Sequence, residues 1–235
     1  MGADKIIPIS CLAAAAGLIL AGTRFGSFAP ILWWFSADLA FIAAAYALGA
    51  PRLIGGKRSD GSFCLVGAFF MLPYLLVTAA WWHIVRPFRS ERPYDRLTKN
   101  ITIGRRLLPR EYPCNVTHVI DLTAEFARTR QRGDRRTYAA FPILDSSGLE
   151  VADMARLVQA AVRQDGIYIH CAAGHGRTGM VAACLLLYAG IVATAEEAMQ
   201  RVSAVRPGAM LTVAQKRTVA AFARHIAAGQ YSGKS

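Results

Sequence analysis

The run Ile167-Tyr168-Ile169-His170-Cys171-Ala172-Ala173-Gly174-His175-Gly176-Arg177-Thr178-Gly179 decides how the rest of the chain is read. A short apolar segment of β-forming residues ends in His-Cys. A turn with two glycines follows, and Arg-Thr-Gly then opens a long apolar segment that reads as a helix. Strand, glycine loop and helix together make an anion cradle, because successive backbone N–H groups at a helix N-terminus converge on one point. A cysteine at the base of the cradle adds a nucleophile, and an arginine at its rim adds a planar two-pronged clamp for phosphate.

On either side of this run the pattern alternates between strand and helix. Residues 101–103, 116–122 (VTHVIDL) and 138–144 read as strands, the last despite Pro142 near its end. Residues 128–136 form a basic polar loop with Gly133-Asp134 as its turn signal. Ser147-Gly148-Leu149-Glu150 has the pattern of a capping box, and apolar residues then keep helical spacing over 149–164. Thr194 with Glu197 and Thr212 with Gln215 repeat that start signal before two further helices. Residues 180–188 are apolar all round, as expected of a helix buried against a sheet. The order of elements gives an α/β domain with a mainly parallel central sheet flanked by helices.

Cys171, five residues and then Arg177-Thr178 make the Cys-x5-Arg-(Ser/Thr) signature, extended here to His-Cys-x-x-Gly-x-Gly-Arg-Thr-Gly. The bare signature is shared by sulfurtransferase-like and arsenate-reductase-like proteins. With its preceding strand, its following apolar helix and an upstream aspartate loop, the stretch from about residue 101 to 228 resembles the cysteine-dependent protein tyrosine phosphatase superfamily in its compact dual-specificity branch. A zinc site built from His170, Cys171 and His175 matches no common ligand spacing.

The resemblance implies a role for each residue of the motif. Cys171 attacks phosphorus to give a phosphocysteine intermediate, and Arg177 holds two equatorial oxygens of a metaphosphate-like transition state. The backbone N–H groups of Ala172, Ala173, Gly174, His175, Gly176 and Arg177 complete the cradle, with Gly174 and Gly176 supplying the backbone angles that aim them inward. Thr178 hydrogen-bonds the cysteine sulfur and helps it leave, and His170 orients the loop. His175 faces substrate or solvent. Asp145, 26 residues before the cysteine in Phe141-Pro142-Ile143-Leu144-Asp145-Ser146-Ser147-Gly148, sits where the family keeps its general acid. Ser147 is the expected cap of the next helix, which leaves Asp145 for chemistry. Asp121 reads as a turn stabiliser and Asp153 as a helix residue. Arg206 matches a position that braces the active site, and Gln215 reads as part of its capping box rather than as a water-positioner. Neither metal nor organic cofactor is required.

The 235-residue chain is 54% hydrophobic with a mean hydropathy of +0.31, and nearly all of its long apolar runs precede residue 86. Three of them, near 6–22, 28–49 and 63–85, compare with the roughly 20 apolar residues that a helix needs to cross a bilayer. Trp33-Trp34 and Trp81-Trp82 lie near the ends of the second and third, as interfacial tryptophans do. Residues 1–85 therefore read as about three transmembrane helices, or two if the first lies along the interface. The first lacks a strongly basic leader and is closely followed by another hydrophobic run, which argues against a signal peptide. Asp38, isolated within the second, reads as a packing contact between helices.

Residues 86–100 (RPFRSERPYDRLTKN) read as a short basic linker to a phosphatase domain over 101–235. The net charge is +12, and from residue 86 onward 22 Lys/Arg stand against 12 Asp/Glu. That surplus suits an anionic membrane surface or anionic substrates, and no groove-binding motif points to nucleic acid. Arg24, Arg86, Arg89, Arg92, Arg96 and Lys99 fall on one side of a three-span topology, and Lys5, Arg52, Lys57 and Arg58 on the other. The balance favours an integral membrane protein with a cytoplasmic catalytic domain. The cysteines Cys11, Cys64, Cys114, Cys171 and Cys184 form no disulfide framework, which agrees with a reducing compartment.

The expectation is a membrane-tethered phosphomonoesterase acting on a phosphorylated lipid or, alternatively, on a tyrosine- or serine-phosphorylated membrane protein. Ala172, Ala173 and His175 give the loop less positive charge than the lysines of phosphoinositide-directed relatives, which argues against a polyphosphorylated headgroup. A non-catalytic phosphate-binding scaffold is the rival class. Such proteins lose the cysteine, the arginine or the aspartate, and all three are present here.

Overall fold

The computed structural model describes residues 3–129 and 131–229; residues 1–2, Arg130 of the basic loop and residues 230–235 at the end of the expected phosphatase domain lie outside them. The chain divides into two compact units, Met1–Ser90 with Ala124–Arg128, and Glu91–Thr123 with Thr129–Ser235.

In the first unit α1 (Ala3–Arg24) and α2 (Ala29–Leu48) form a helical hairpin across a short 3-10 turn. Ser36 Oγ donates to Ala15 O at 2.9 Å, and Gly22 leaves room for the Trp33 indole, which would stand 2.4 Å from a Cβ there. Gly49, at φ +61°, closes α2 in the left-handed conformation that ends many helices. Among the described residues two helical stretches, Ile6–Arg24 and Gly26–Leu48, are long and apolar enough to cross a bilayer.

The third apolar run departs from the single helix expected over 63–85. It breaks at Met71 into α3 (Leu65–Phe70) and α4 (Leu72–Val85). Pro73 is the cause, since it has no N–H to offer the Phe69 carbonyl and its ring collides with that group. The break also separates Phe70 C=O from Tyr74 N–H, which would bond each other in an unbroken helix. Each finds a partner on α2: Trp34 Nε1 donates to Phe70 O at 2.8 Å, and Tyr74 N–H donates to Asp38 Oδ2 at 2.8 Å. Trp34 and Asp38 are one helical turn apart, so a single face of α2 accommodates both ends of the break. Asp38, which is buried, thus joins helices through the backbone.

The second unit is built on a five-stranded sheet of order β1-β2-β5-β3-β4. Its strands are β1 (Tyr94–Arg96), β2 (Ile101–Arg105), β3 (His118–Thr123), β4 (Thr137–Ile143) and β5 (Ile167–Cys171). All pairings are parallel except β1 with β2. Pro142 is tolerated because β4 is an edge strand whose pairing with β3 is irregular between Ala140 and Ile143, where Pro142 lies. The segment read as linker over 86–100 is partly sheet, since 94–96 pair with 102–104. Charge pattern alone concealed this strand. The Tyr94 ring packs edge-on to Tyr168 at 6.4 Å, and Asp95 faces a buried arginine described below.

Helices α5 (Val151–Val162), α6 (Gly176–Tyr188), α7 (Ala195–Val205) and α8 (Val213–Ala227) complete the unit. All side chains of α6 from Arg177 to Leu187 are buried, as its uniformly apolar sequence requires. The cap of α7 forms at Thr194, and the capping box of α8 closes between Thr212 and Gln215. The box expected at Ser147 does not form, and α5 starts at Val151 after Glu150 with no side-chain cap. Leu149 is held outside the helix because its N–H donates to Thr218 Oγ1 and its carbonyl accepts from the same hydroxyl, both at 3.0 Å.

Removing the acceptor at the helix break has a defined cost. Asp38→Ala should lower stability by about 1–3 kcal/mol, the usual penalty for stranding a buried polar group, whereas Asp38→Asn, which keeps an oxygen, should lose much less. Denaturation of the full-length protein in detergent reads this, and equal midpoints for Asp38→Ala and the parent would refute it.

Candidate active site

Strand β5 alternates its side chains between two environments. Ile167, Ile169 and Cys171 enter the core under the helices, whereas Tyr168 joins a smaller cluster with Leu107, Val116 and Val119 on the opposite face. Cys171 ends the strand, and its Sγ accepts from Gly174 N–H at 3.2 Å. Helix α6 begins two residues beyond Gly174, so the sulfur lies at the base of a loop that opens into a helix N-terminus.

The two loop glycines serve different needs. Gly174 has φ +76°, and a Cβ there would stand 2.3 Å from the backbone of Gly104, so only glycine fits both the angle and the space. Gly176 does not need a left-handed angle, contrary to the sequence-based expectation. Its hydrogen leaves room for the Gln215 amide, whose Oε1 would be 2.8 Å from a Cβ.

Arg177 is buried, donates to Ile143 O at 3.1 Å, and has its Nε 3.1 Å from Asp145 Oδ1. The Asp145 side chain remains 64% exposed, so this carboxylate meets a buried cation while facing solvent. The loop that carries it is pinned: Ser146 has φ +62°, and its carbonyl accepts from the Thr212 hydroxyl at 2.9 Å. The other candidate carboxylates lie elsewhere. Asp153 pairs with Arg156 on the surface of α5. Asp121 is buried and accepts from Thr123 N–H, Thr123 Oγ1 and the Tyr138 hydroxyl at 2.6–2.8 Å.

His170 is buried with Nδ1 3.3 Å from Cys171 O and 3.8 Å from Asp121 Oδ1. Its ring lies beside those of Tyr138 and Tyr168. Burial, and then the Asp121 carboxylate, push the Tyr138 phenol well above its ordinary range, and burial does the same for Tyr168. Both phenols act as donors, Tyr138 to Asp121 Oδ2 and Tyr168 to Arg105 O, each at 2.6 Å. Thr178 Oγ1 is buried and makes no hydrogen bond, so the contact to sulfur implied by the resemblance is not formed here. Burial pushes the Cys184 thiol up, as befits a core residue.

Arg206 lies behind the loop. Its guanidinium donates to Gly174 O (2.6 Å), Ala173 O (3.3 Å), Arg92 O (3.2 Å) and Asp95 Oδ2 (2.8 Å). His175 projects from the loop, with Nε2 2.5 Å from Glu91 Oε2. Glu91 and Asp95 both fall in the supposed linker. A carboxylate beside a run of arginines looks like solvated charge, so only the fold could recruit them.

A thiol that accepts a loop N–H, a buried guanidinium within the same loop and a carboxyl group at its edge are the groups needed to bind a tetrahedral oxyanion, attack it and, with the carboxyl protonated, supply a proton to a leaving oxygen. The model of the DSP-PTPase phosphatase domain of Swiss Army Knife proteins (PTP-SAK) matches residues 108–225, half of the chain, and the chain belongs to that family. The matched region is a phosphatase domain of the dual-specificity and tyrosine type. Protein tyrosine phosphatase domain-containing protein 1 of Mus musculus is 35% identical over 77 residues, and that of Danio rerio 34% over 76, covering 33% and 32% of this chain. The aligned region spans only 10% of the length of either relative. Among solved structures PTPMT1 is similar at a TM-score of 0.53 and 20% identity, over 60% of this chain and 100% of that one. A mouse putative dual specificity phosphatase is similar at 0.51 and 16%, over 60% and 94%.

Replacing Arg206 by methionine leaves Asp95 and two loop carbonyls without their buried donor. The expected loss is about 3–5 kcal/mol, read as a lowered unfolding midpoint together with weakened binding of inorganic phosphate. An unchanged midpoint would show that the arginine does not brace the loop.

Proposed function

We propose that this phosphatase is a membrane-tethered phosphomonoesterase whose substrate is a phosphorylated lipid. In this reading Cys171 attacks phosphorus while the N–H groups of residues 172–177 and the Arg177 fork take the equatorial oxygens. Asp145 protonates the leaving oxygen, and water then cleaves the phosphocysteine. His170 orients the loop through the Cys171 carbonyl, Arg206 supports it from behind, and Thr178 assists the sulfur as leaving group after a rotation of its hydroxyl. The observation that carries the chemistry is the 3.1 Å approach of Asp145 to Arg177 beside a thiol that already accepts a loop N–H. When phosphate takes the guanidinium, the exposed carboxylate is released at the edge of the site where the leaving oxygen must be.

The membrane part of the reading rests on where the apolar surface lies. Only 11% and 28% of the two long apolar stretches is buried, the reverse of a core helix in a water-soluble domain. Ile9, Leu12, Leu20, Ile31, Phe41 and Leu48 are all exposed. In our reading α3 and α4 make a third, kinked crossing, because Trp34 and Asp38 satisfy the backbone groups that the kink would otherwise leave bare in lipid. The basic flank of 86–99 favours the cytoplasmic side for the domain.

A lipid is preferred over a phosphoprotein because the domain follows the last apolar helix after a short basic segment. PTPMT1, whose fold is similar, has been solved in complex with PI(5)P, so a domain of this shape holds a phospholipid headgroup in that protein.

Phosphate release from a lipid-phosphate panel beside a phosphopeptide panel, with detergent-solubilised protein, tests the substrate; turnover of phosphopeptides alone would overturn the lipid reading. Cys171→Ser should abolish turnover, and Arg177→Lys should lower kcat/KM by about a hundredfold or more. Asp145→Asn should cost about 10²- to 10⁴-fold on alkyl phosphates and far less on an aryl phosphate with a good leaving group. Undiminished turnover by Cys171→Ser would end the mechanism.

A further inference from the structure

The loop 172–177 carries two basic side chains, and they are placed differently. Arg177 is buried within the site, whereas the His175 side chain is 25% exposed and turned toward Glu91. Two neighbours fix it there. Glu91 Oε2 lies 2.5 Å from Nε2, and Gly208 packs so closely that a Cβ at that position would stand 2.6 Å from the same nitrogen. Glu91 is itself held, with Arg206 Nη2 3.7 Å from Oε2. The ring therefore occupies a slot with a carboxylate on one side and a glycine backbone on the other.

We propose that Glu91 is a specificity-determining residue. By holding the His175 ring in its slot it ties up the one exposed basic side chain of the loop, so the mouth accepts a single phosphomonoester and disfavours a second phosphate nearby. The inference rests on the phosphatase reading of the loop but not on a lipid substrate, because soluble headgroups suffice to test it. Contact of a phosphate with a half-exposed basic side chain is worth up to about 1 kcal/mol, a factor of about five in affinity. Release of His175 should change the discrimination by about three- to fivefold, with Arg177 and the backbone donors untouched.

The test is binding of inositol monophosphate and of a vicinal inositol bisphosphate to full-length Cys171→Ser protein in detergent, followed by calorimetry. In that background Glu91→Ala should raise the ratio of bisphosphate to monophosphate affinity about three- to fivefold. Adding His175→Ala should return the ratio to that of the parent, which a loss of general order at the mouth would not do. Gly208→Ala reaches the same end from the opposite side, because its Cβ must push the ring from its slot, and it should raise the ratio even if Glu91→Ala folds poorly. An unchanged ratio in both single variants, or a rise that persists without His175, overturns the proposal. A shifted ratio in a protein whose Cys171 form turns over no phosphate ester would instead sink the phosphatase reading and leave the role of Glu91 standing.

Discussion

A loop cannot turn its N–H groups inward around an anion without turning carbonyls outward, and those carbonyls need donors of their own. Here the outward carbonyls are those of Ala173 and Gly174, and the donor is one buried arginine, Arg206. Much of the second unit follows from that arrangement. A buried guanidinium needs a countercharge, and Asp95 supplies it from β1. The short antiparallel strand at the sheet edge is therefore part of the support of the loop. Gly104 in the adjoining strand must also be bare, because a Cβ there would strike the Tyr168 hydroxyl at 2.4 Å. Loop, edge strand and α7 terminus are one hydrogen-bonded assembly around a single side chain.

The motif and the long periodic elements were legible in the sequence because each depends on local pattern. Strand β5, the apolar helix α6 and the caps at Thr194 and Thr212 come from spacings of a few residues. What escaped depends on partners distant in the chain. Leu149 is kept out of α5 by Thr218, 69 residues later. Glu91 meets His175 across 84 residues, and Asp95 meets Arg206 across 111. In sequence these carboxylates sit among Arg86, Arg89, Arg92 and Arg96 and read as a solvated basic flank. Asp121 did leave a signal, a charge inside an apolar strand, but its Tyr138 partner did not.

The same rule of backbone satisfaction governs the first unit. Pro73 lies inside a run that reads as a single helix, and neither the break nor its accommodation was legible from local pattern. Two side chains a turn apart on α2, an indole donor and a carboxylate acceptor, take the separated carbonyl and amide. Trp34, read as a tryptophan near a helix end, and Asp38, read as a packing contact between helices, both complete a neighbouring helix.

The basic side chains around the loop each face a carboxylate from a different segment: Arg206 faces Asp95, His175 faces Glu91, and Arg177 faces Asp145. An incoming phosphate can take the cation only of a pair whose carboxylate is able to leave. Asp95 is 14% exposed and fixed in the sheet, whereas Asp145 is 64% exposed on a turn. On the proposed mechanism the exchange therefore happens at Arg177, and the bracing pair at Arg206 is left intact. The departing carboxylate is also the proposed acid: freed from the guanidinium and open to solvent, it can take up the proton that it then gives to the leaving oxygen. The geometry of the loop need not change for this, because the charges that hold it are not the ones that the substrate displaces.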